Sequence, residues 1–431
     1  MHTTNLNVSI NKLSKIEGHA DLDIRIRDGK VEDVSLRVME NKRFFNQAVK
    51  GKPYNAVPQL VSRICGTCSI AHLTACIEAV EKTLSIRPSA QTMLMRKLTM
   101  YSLMIRDHAL HLYYFVLPDI FGVDSILDLA EKEKELVHQS LHVKEAGNNL
   151  SNLIAGRAVH APFEAVGGFS RIPDKTKFPA MIEELKSIRP YILALAEILY
   201  ACDWVLIRKT DFVAIKTPDF SFLEGFIASS SGASIKEEDY WDHLHNVVLP
   251  YSQASGFEFE GHPYVVGSLA RVNLNKDNLS APTKRDMKKY LDIFPSDNIY
   301  HNNLAQAIEI MHSIDHAIEI LSTAEFKEEK PAQPESLDGE GVGAIEAPRG
   351  TLYYWLGIDK GKVRYANLVI PTAQNLISMR EDVRDAATKI LACEKNDRSC
   401  EEKIRKEVEK IIRAYDPCMS CASHFLRVNW V

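Results

Sequence analysis

Two Cys-x-x-Cys pairs stand at opposite ends of this chain, Cys65–Cys68 in Arg63-Ile-Cys-Gly-Thr-Cys-Ser-Ile-Ala-His72 and Cys418–Cys421 in Asp416-Pro-Cys-Met-Ser-Cys-Ala-Ser-His424. Two thiolates three residues apart grip one metal ion from a single turn, and two such pairs supply four sulfur ligands. Positions 68 and 418 are 350 residues apart. If both pairs serve one centre, the last residues must return to the first quarter of the chain. That demand favours one large unit over separable modules, with 1–431 as a single domain.

The spacing leaves other readings open. A structural zinc clamp joins its two pairs in the same way, although zinc ribbons bring them from nearby segments. Two separate redox dithiols would each need a compact βαβ setting, and neither pair has one. Disulfide scaffolding is excluded by sparsity, since eight cysteines are spread over 431 residues and half fall in the two pairs. Cys76, Cys202, Cys393 and Cys400 match no ligand pattern and read as ordinary core or surface cysteines.

The formal charge of −5 argues against a polyanion-binding surface, so nucleic acid is not an expected partner. No window holds the roughly 18 uninterrupted apolar residues of a membrane span. The start, MHTTNLNVSINKLSKIEGH, lacks the apolar core of a secretory signal, and the expected location is the cytoplasm.

Periodicity predicts a mostly helical chain with an N-terminal β region, an α+β class. Leu6–Val38 alternates around an Asp28–Gly29 turn and reads as strands. Helical spacing runs from Val57 to Leu84 through the first cysteine pair, then over Ala90–Leu117, ending before Pro118. Further helices are predicted at Lys175–Leu206, Asn303–Phe326, Asn375–Ala392 and Glu401–Ala414. Phe212–Asn273 reads as strand and loop, and Lys327–Gly341 as an exposed loop.

The residues around both pairs, and blocks between them, resemble the large subunits of nickel–iron hydrogenases. Lys15-Ile-Glu17-Gly-His19 resembles that family's opening motif, and Arg106-Asp107-His108-Ala-Leu-His111-Leu-Tyr113 its histidine-rich helix. Gly156-Arg-Ala-Val-His160, Gly267-Ser-Leu-Ala-Arg271-Val-Asn273 and Glu346-Ala-Pro348-Arg349-Gly350 match further blocks in order. The resemblance implies the family's long-helix bundle. It also implies a nickel ion held by Cys65, Cys68, Cys418 and Cys421, with Cys68 and Cys421 bridging to an iron that carries carbon monoxide and cyanide. Soft thiolates suit a redox-active nickel.

By the same resemblance Glu17 relays protons from the last cysteine pair, a task suited to a carboxyl whose pKa lies towards neutral. Arg349 places its guanidinium over the open side of the metals, where hydrogen binds, oriented by Asp107 and Asp416. His72 lies four residues after Cys68 and, on a helix, shares its face. It is expected to hydrogen-bond a bridging sulfur. Pro348 and Pro417 contribute apolar packing beside the diatomic ligands. His108 and His111 are read as buried, hydrogen-bonded histidines and not as ligands.

Two departures from the family stand out. Asn46, in Arg43-Phe-Phe-Asn-Gln-Ala-Val-Lys-Gly51, replaces a glutamate that helps hold a structural magnesium. One neutral oxygen is a weaker ligand for a hard dication, so the magnesium is in question here, with Glu40 as the fallback ligand. Tyr354 stands near where many relatives carry a histidine. The family also removes a carboxy-terminal peptide after the histidine corresponding to His424, whose new carboxylate would serve that cation. Residues 425–431 hold Phe, Leu, two Val and Trp, so this tail is expected to be cleaved or to pack against something.

The implied activity is reversible heterolytic cleavage of H2. Nothing in the sequence resembles a nucleotide-binding loop or the cysteine set of an electron relay. Electrons must leave through a small subunit carrying iron–sulfur clusters and further electron-transfer subunits, and maturation proteins must build the iron ligands. The alternatives are a hydrogen-sensing relative with low turnover and a redox-inactive homologue of the respiratory complex I type. The latter is disfavoured because those subunits lose the four cysteines.

Overall fold

The structure, a computed structural model, describes residues 5–41, 44–393 and 398–423. It opens with three antiparallel strands, β1 (Leu6–Ile10), β2 (Ala20–Arg27) and β3 (Lys30–Val38). The β2–β3 hairpin turns on Asp28 and Gly29, both left-handed (φ 50° and 71°), as a two-residue loop between right-twisted strands requires. Between β1 and β2, the segment carrying Glu17 leaves the sheet and forms a parallel bridge with Cys418. The amino and carboxy ends of the chain therefore meet in backbone pairing.

The helical reading of Val57–Leu84 is corrected at the cysteines. A short helix, Val57–Val61, runs into a 3-10 turn at Ser62–Ile64, and Cys65 is extended (φ −147°, ψ 143°). Helix α1 (Ser69–Thr83) starts only after Cys68, which occupies its N-cap position. The apolar spacing persists across this break because both sides face the same core. Every α1 residue except Lys82 is buried, so this helix runs through the middle of the molecule.

Helix α2 (Ala90–His111) continues through a π-helical turn, Leu112–Val116, into a short helix, Leu117–Phe121. The expected stop at Pro118 is not there. The proline lies in the first turn of the new segment, where no intrahelical N–H is needed. Helix α3 (Glu135–Ala155), absent from the sequence-based expectations, packs along α2. Gly147 allows this approach, since a Cβ there would sit 2.9 Å from the Arg106 backbone nitrogen. With α4 (Phe178–Tyr200) and α5 (His301–Thr323), these helices form a bundle in which α5 touches both α2 and α4.

A second antiparallel meander, also unforeseen, comprises β4 (Gly339–Ala347), β5 (Gly350–Asp359) and β6 (Lys362–Val369). Glycines 339, 341 and 343 recur with period two, so one face of β4 is bare backbone. A Cβ on Gly341 or Gly343 would lie 2.5 or 2.4 Å from the backbone nitrogens of Thr83 and Ala79. Strand β4 thus lies directly on α1, and the tight β4–β5 turn, Pro348–Arg349, is delivered above the helix's first residues. Helices α6 (Pro371–Cys393) and α7 (Arg398–Ala414) pack on each other, and the chain ends its described course with the short helix Met419–Ala422. No helix among the described residues is long and apolar enough to cross a membrane.

Phe212–Asn273 contains six short strands, as expected, but its last residues begin a helix at Ser268. Of the predicted exposed loop Lys327–Gly341, residues 327–338 have no regular structure, but its last three residues already belong to β4. His424 and the tail 425–431 lie outside the described residues.

Candidate metal centre

The four paired cysteines converge. Their sulfurs all lie within 4.8 Å of one another, with Cys68 to Cys421 at 3.2 Å and Cys65 to Cys418 at 3.6 Å. A disulfide would need about 2.05 Å, and all four thiols are free. Four sulfurs about 2.3 Å from one ion stand about 3.8 Å apart in a tetrahedron, so these spacings fit a shared metal. Among the described residues this is the only cluster of three or more His, Cys, Asp or Glu side chains with that geometry.

The first pair stands just ahead of α1, and the second at the N-cap and within the short helix Met419–Ala422. The extended Cys65 and the N-cap Cys68 flank a loop that α2 supports, because Arg106 donates from Nη2 to the Thr67 carbonyl at 2.9 Å. On the other side, α7 ends at Ala414 and Asp416 takes a left-handed conformation (φ 49°). Its backbone N–H still donates to the Arg413 carbonyl. Asp tolerates this backbone better than most residues, and Pro417 then sets the chain off as an extended segment. Cys418 N–H donates to Thr372 Oγ1 at 2.9 Å.

The cysteines are no more than 5% exposed. The three other thiols hydrogen-bond to Cys65, Cys418 most strongly, and hold it far below the ordinary thiol range. Burial pushes Cys418 and Cys421 up. Beyond Cys65, the buried sulfurs are therefore not favoured as free thiolates. A dication lets the others ionise as it binds. The donor set fits the nickel implied by the sequence.

Glu17 closes one side. The Cys418 thiol donates to Glu17 Oε2 at 3.0 Å, Cys65 Sγ lies 3.8 Å from Oε1, and Ser420 donates through both its backbone N–H and its hydroxyl. Burial raises the Glu17 pKa, the negative Cys65 adds to the rise, and the Cys418 and Ser420 hydrogen bonds oppose it. The carboxyl thus holds its proton to higher pH than a free glutamate.

Arg349 closes the opposite side. Its Nη1 donates to Asp107 Oδ2 at 2.7 Å and its Nη2 to Asp416 Oδ1 at 2.9 Å. Burial opposes the charge, but the two carboxylates more than offset it and push the pKa well above the ordinary arginine value. Arg349 Nε and Asp107 Oδ1 are buried without hydrogen-bond partners. Between guanidinium and sulfurs lies a small cavity of about 10 Å³, lined by Cys68, Cys418 and Cys421 with Ala71, His72, Ala347, Pro348, Leu352, Ile370, Pro371 and Thr372.

His72 lines that cavity on the Cys68 side, and its Nδ1 hydrogen-bonds the Tyr354 hydroxyl at 2.8 Å. This gives the unexpected tyrosine a function: it holds the imidazole from behind. Pro348 lines the cavity. Pro417 is buried but is not among the lining residues, and Pro371 stands there instead. His108 bonds Glu309, and His111 bonds Gln306 and the Arg413 carbonyl, so neither joins the metal cluster. Glu40 is engaged by His19 at 2.7 Å. Asn46 lies in the short helix Phe45–Ala48. Glu40 belongs to no metal-holding cluster of His, Cys, Asp or Glu among the described residues.

The comparisons with known proteins agree with this geometry. The profile of the nickel-dependent hydrogenase family matches residues 43–161 and 233–424. The alpha subunit of sulfhydrogenase 1 from Pyrococcus furiosus is 33% identical over 98% of this chain and 99% of its own length. The beta subunit of the NAD-reducing hydrogenase of Cupriavidus necator is 27% identical, covering 97% of this chain and 94% of the relative. A crystal structure of an NAD+-reducing nickel–iron hydrogenase in the H2-reduced state superimposes with a TM-score of 0.87 at 26% identity, over 97% of this chain and 99% of that one. With the four cysteines brought together as that family requires, the chain belongs to the nickel-dependent hydrogenases.

Proposed function

We propose that this chain is the catalytic subunit of a nickel–iron hydrogenase that cleaves H2 heterolytically and passes the electrons to an iron–sulfur partner subunit. The observation that carries the reading is the enclosure of four buried thiols between a paired guanidinium on one side and a proton-holding carboxyl on the other. Cys65, Cys68, Cys418 and Cys421 would hold the nickel. Cys68 and Cys421, whose sulfurs lie 3.2 Å apart, would share the iron, and Ala71, Pro348, Leu352, Ile370 and Pro371 offer an apolar wall for its small diatomic ligands. When bound, the metals supply the polarisation of H2 and the acceptance of its electrons.

The chain's own residues handle charge and protons. Arg349, locked by Asp107 and Asp416, sets a fixed positive charge facing the sulfurs in a buried, mostly apolar site, where it acts far more strongly than in water. Cys418 Sγ lies 3.0 Å from Glu17 Oε2, so a proton released onto that sulfur during turnover would be within range for direct transfer. Glu17, its pKa raised, takes that proton outward past Ser420. Asn46 in the usual glutamate's place leaves the structural magnesium an open part of the reading. The relatives' names as subunits support partner subunits, which on this reading carry the electrons onward in a cytoplasmic complex.

Hydrogen-dependent reduction of an artificial dye by the metal-loaded complex tests the reading. Rapid turnover is expected. Intact nickel with only trace turnover would point to a hydrogen sensor, and a chain that holds no nickel would reject both. Glu17→Gln is expected to cut HD formation from D2 and water by about tenfold or more, since one positioned acid–base group contributes at least that much, while metal spectra stay unchanged. Exchange at the original rate would assign the proton to another group.

A further inference from the structure

The hydrogen bonds behind Arg349 continue past Asp416. Gln306, on α5, donates from Nε2 to Asp416 Oδ2 at 3.0 Å. Its Oε1 lies 2.6 Å from Nδ1 of His111, at the end of α2, and His111 Nε2 lies 2.7 Å from the Arg413 carbonyl oxygen, in the last turn of α7. Gln306 and His111 are each 1% exposed, so water does not compete for these contacts.

Donor and acceptor chemistry fixes the protons along this chain. A carbonyl oxygen only accepts, so His111 Nε2 carries a hydrogen. Asp416 is ion-paired with Arg349, so the Gln306 amide must turn its nitrogen towards the carboxylate. The reversed amide would set two acceptors against each other, and such amide orientations are assigned from the network around them. Gln306 Oε1 is then the acceptor facing His111, and Nδ1 must carry a hydrogen as well.

We propose that His111 is an imidazolium held between two acceptors, and that Gln306, oriented by it, is a positioning residue for Asp416 and through it for the Arg349 guanidinium. The surroundings suit the charge. The last carbonyls of α7 present the negative end of a helix dipole, which favours a cation. Of the charged groups on the adjoining elements, Asp107 pairs with Arg349, His108 with Glu309, and the Arg413 guanidinium with Asp119 and Glu409. Asp107 and Asp416 set two carboxylates around the one Arg349 guanidinium, and Arg106, the neighbouring cation on α2, donates to the Thr67 carbonyl.

Neutron diffraction from deuterium-exchanged crystals of the holoenzyme tests the protonation directly. Deuterium is expected on both ring nitrogens of His111, with the Gln306 amide nitrogen facing Asp416. A bare Nδ1 or a reversed amide overturns the proposal. The consequence for turnover rests on the hydrogenase reading. In nickel-loaded Gln306→Met, kcat should fall about tenfold or more, the scale of a lost hydrogen bond to a charged group. KM for H2 should stay within about twofold, because the contact acts on Arg349 and not on substrate entry. His111→Phe, which keeps the ring packing but removes both donors, should behave alike. Wild-type kcat in either nickel-loaded variant overturns the positioning role. If the wild-type complex itself splits no H2, the hydrogenase reading fails while the neutron result still judges His111.

Discussion

Cys421→Ser is expected to empty the centre of nickel and take hydrogen turnover with it. The cysteine is 2% exposed and lies 3.2 Å from Cys68, the partner with which it would bridge two metals. A serine hydroxyl does not ionise near neutral pH and is a hard donor where the site is built from soft ones. Changes to residues that merely support ligands cost about 10–100-fold in metal affinity, and losing a bridging ligand costs more. Nickel bound per chain, measured by elemental analysis, should fall below about one-tenth of the wild-type value, with circular dichroism showing that the helices remain. Wild-type nickel content in the variant would remove Cys421 from the ligand set.

Arg349→Lys should leave the metals in place and still lower kcat by about a hundredfold or more, the scale of a misplaced catalytic charge. The guanidinium reaches Asp107 and Asp416 at once, with two nitrogens at 2.7 and 2.9 Å. A lysine keeps the charge but places it at one point on a flexible stem, so it cannot span both carboxylates in a fixed plane. One of the two would then be buried with its charge unpaired, which is costly in itself. The check is single-turnover kinetics on protein of confirmed nickel content. Unchanged kcat would mean that positive charge alone is enough, or that Arg349 takes no part.

What the sequence showed of this site, and what it hid, follows from how far each feature reaches along the chain. Cys-x-x-Cys, Asp28-Gly29 and the amphipathic helices α4 to α7 are local patterns, and each stands close to where the spacing puts it. The meander β4–β6 was hidden by its own solution to packing. Glycines 339, 341 and 343 argue against a strand by propensity, yet they are what let β4 lie on α1. Helix α3 was masked by polar residues and Gly147, although Leu136, Val143, Leu150 and Ile154 share a helical stripe. The break at Cys65–Cys68 was invisible because apolar spacing cannot register a turn whose two sides bury the same face.

The supporting side chains were harder still. Tyr354 meets His72 across 282 positions and Gln306 meets Asp416 across 110, contacts that no short-range pattern encodes. A buried polar run on α5, Asn302, Asn303, Gln306 and Glu309, was the available signal. Polar residues on an otherwise apolar helix must find partners, and here Gln306 finds Asp416 and Glu309 finds Arg271 and His108.

The central claim is that one nickel ion sits among all four sulfurs. Nickel-edge X-ray absorption on the anaerobically purified complex addresses it without reference to turnover. The account predicts a shell of close to four sulfurs at about 2.3 Å, the usual metal–thiolate distance, with an iron neighbour beyond it. A nickel surrounded by nitrogen and oxygen, or a four-sulfur site filled by zinc in active protein, would contradict it.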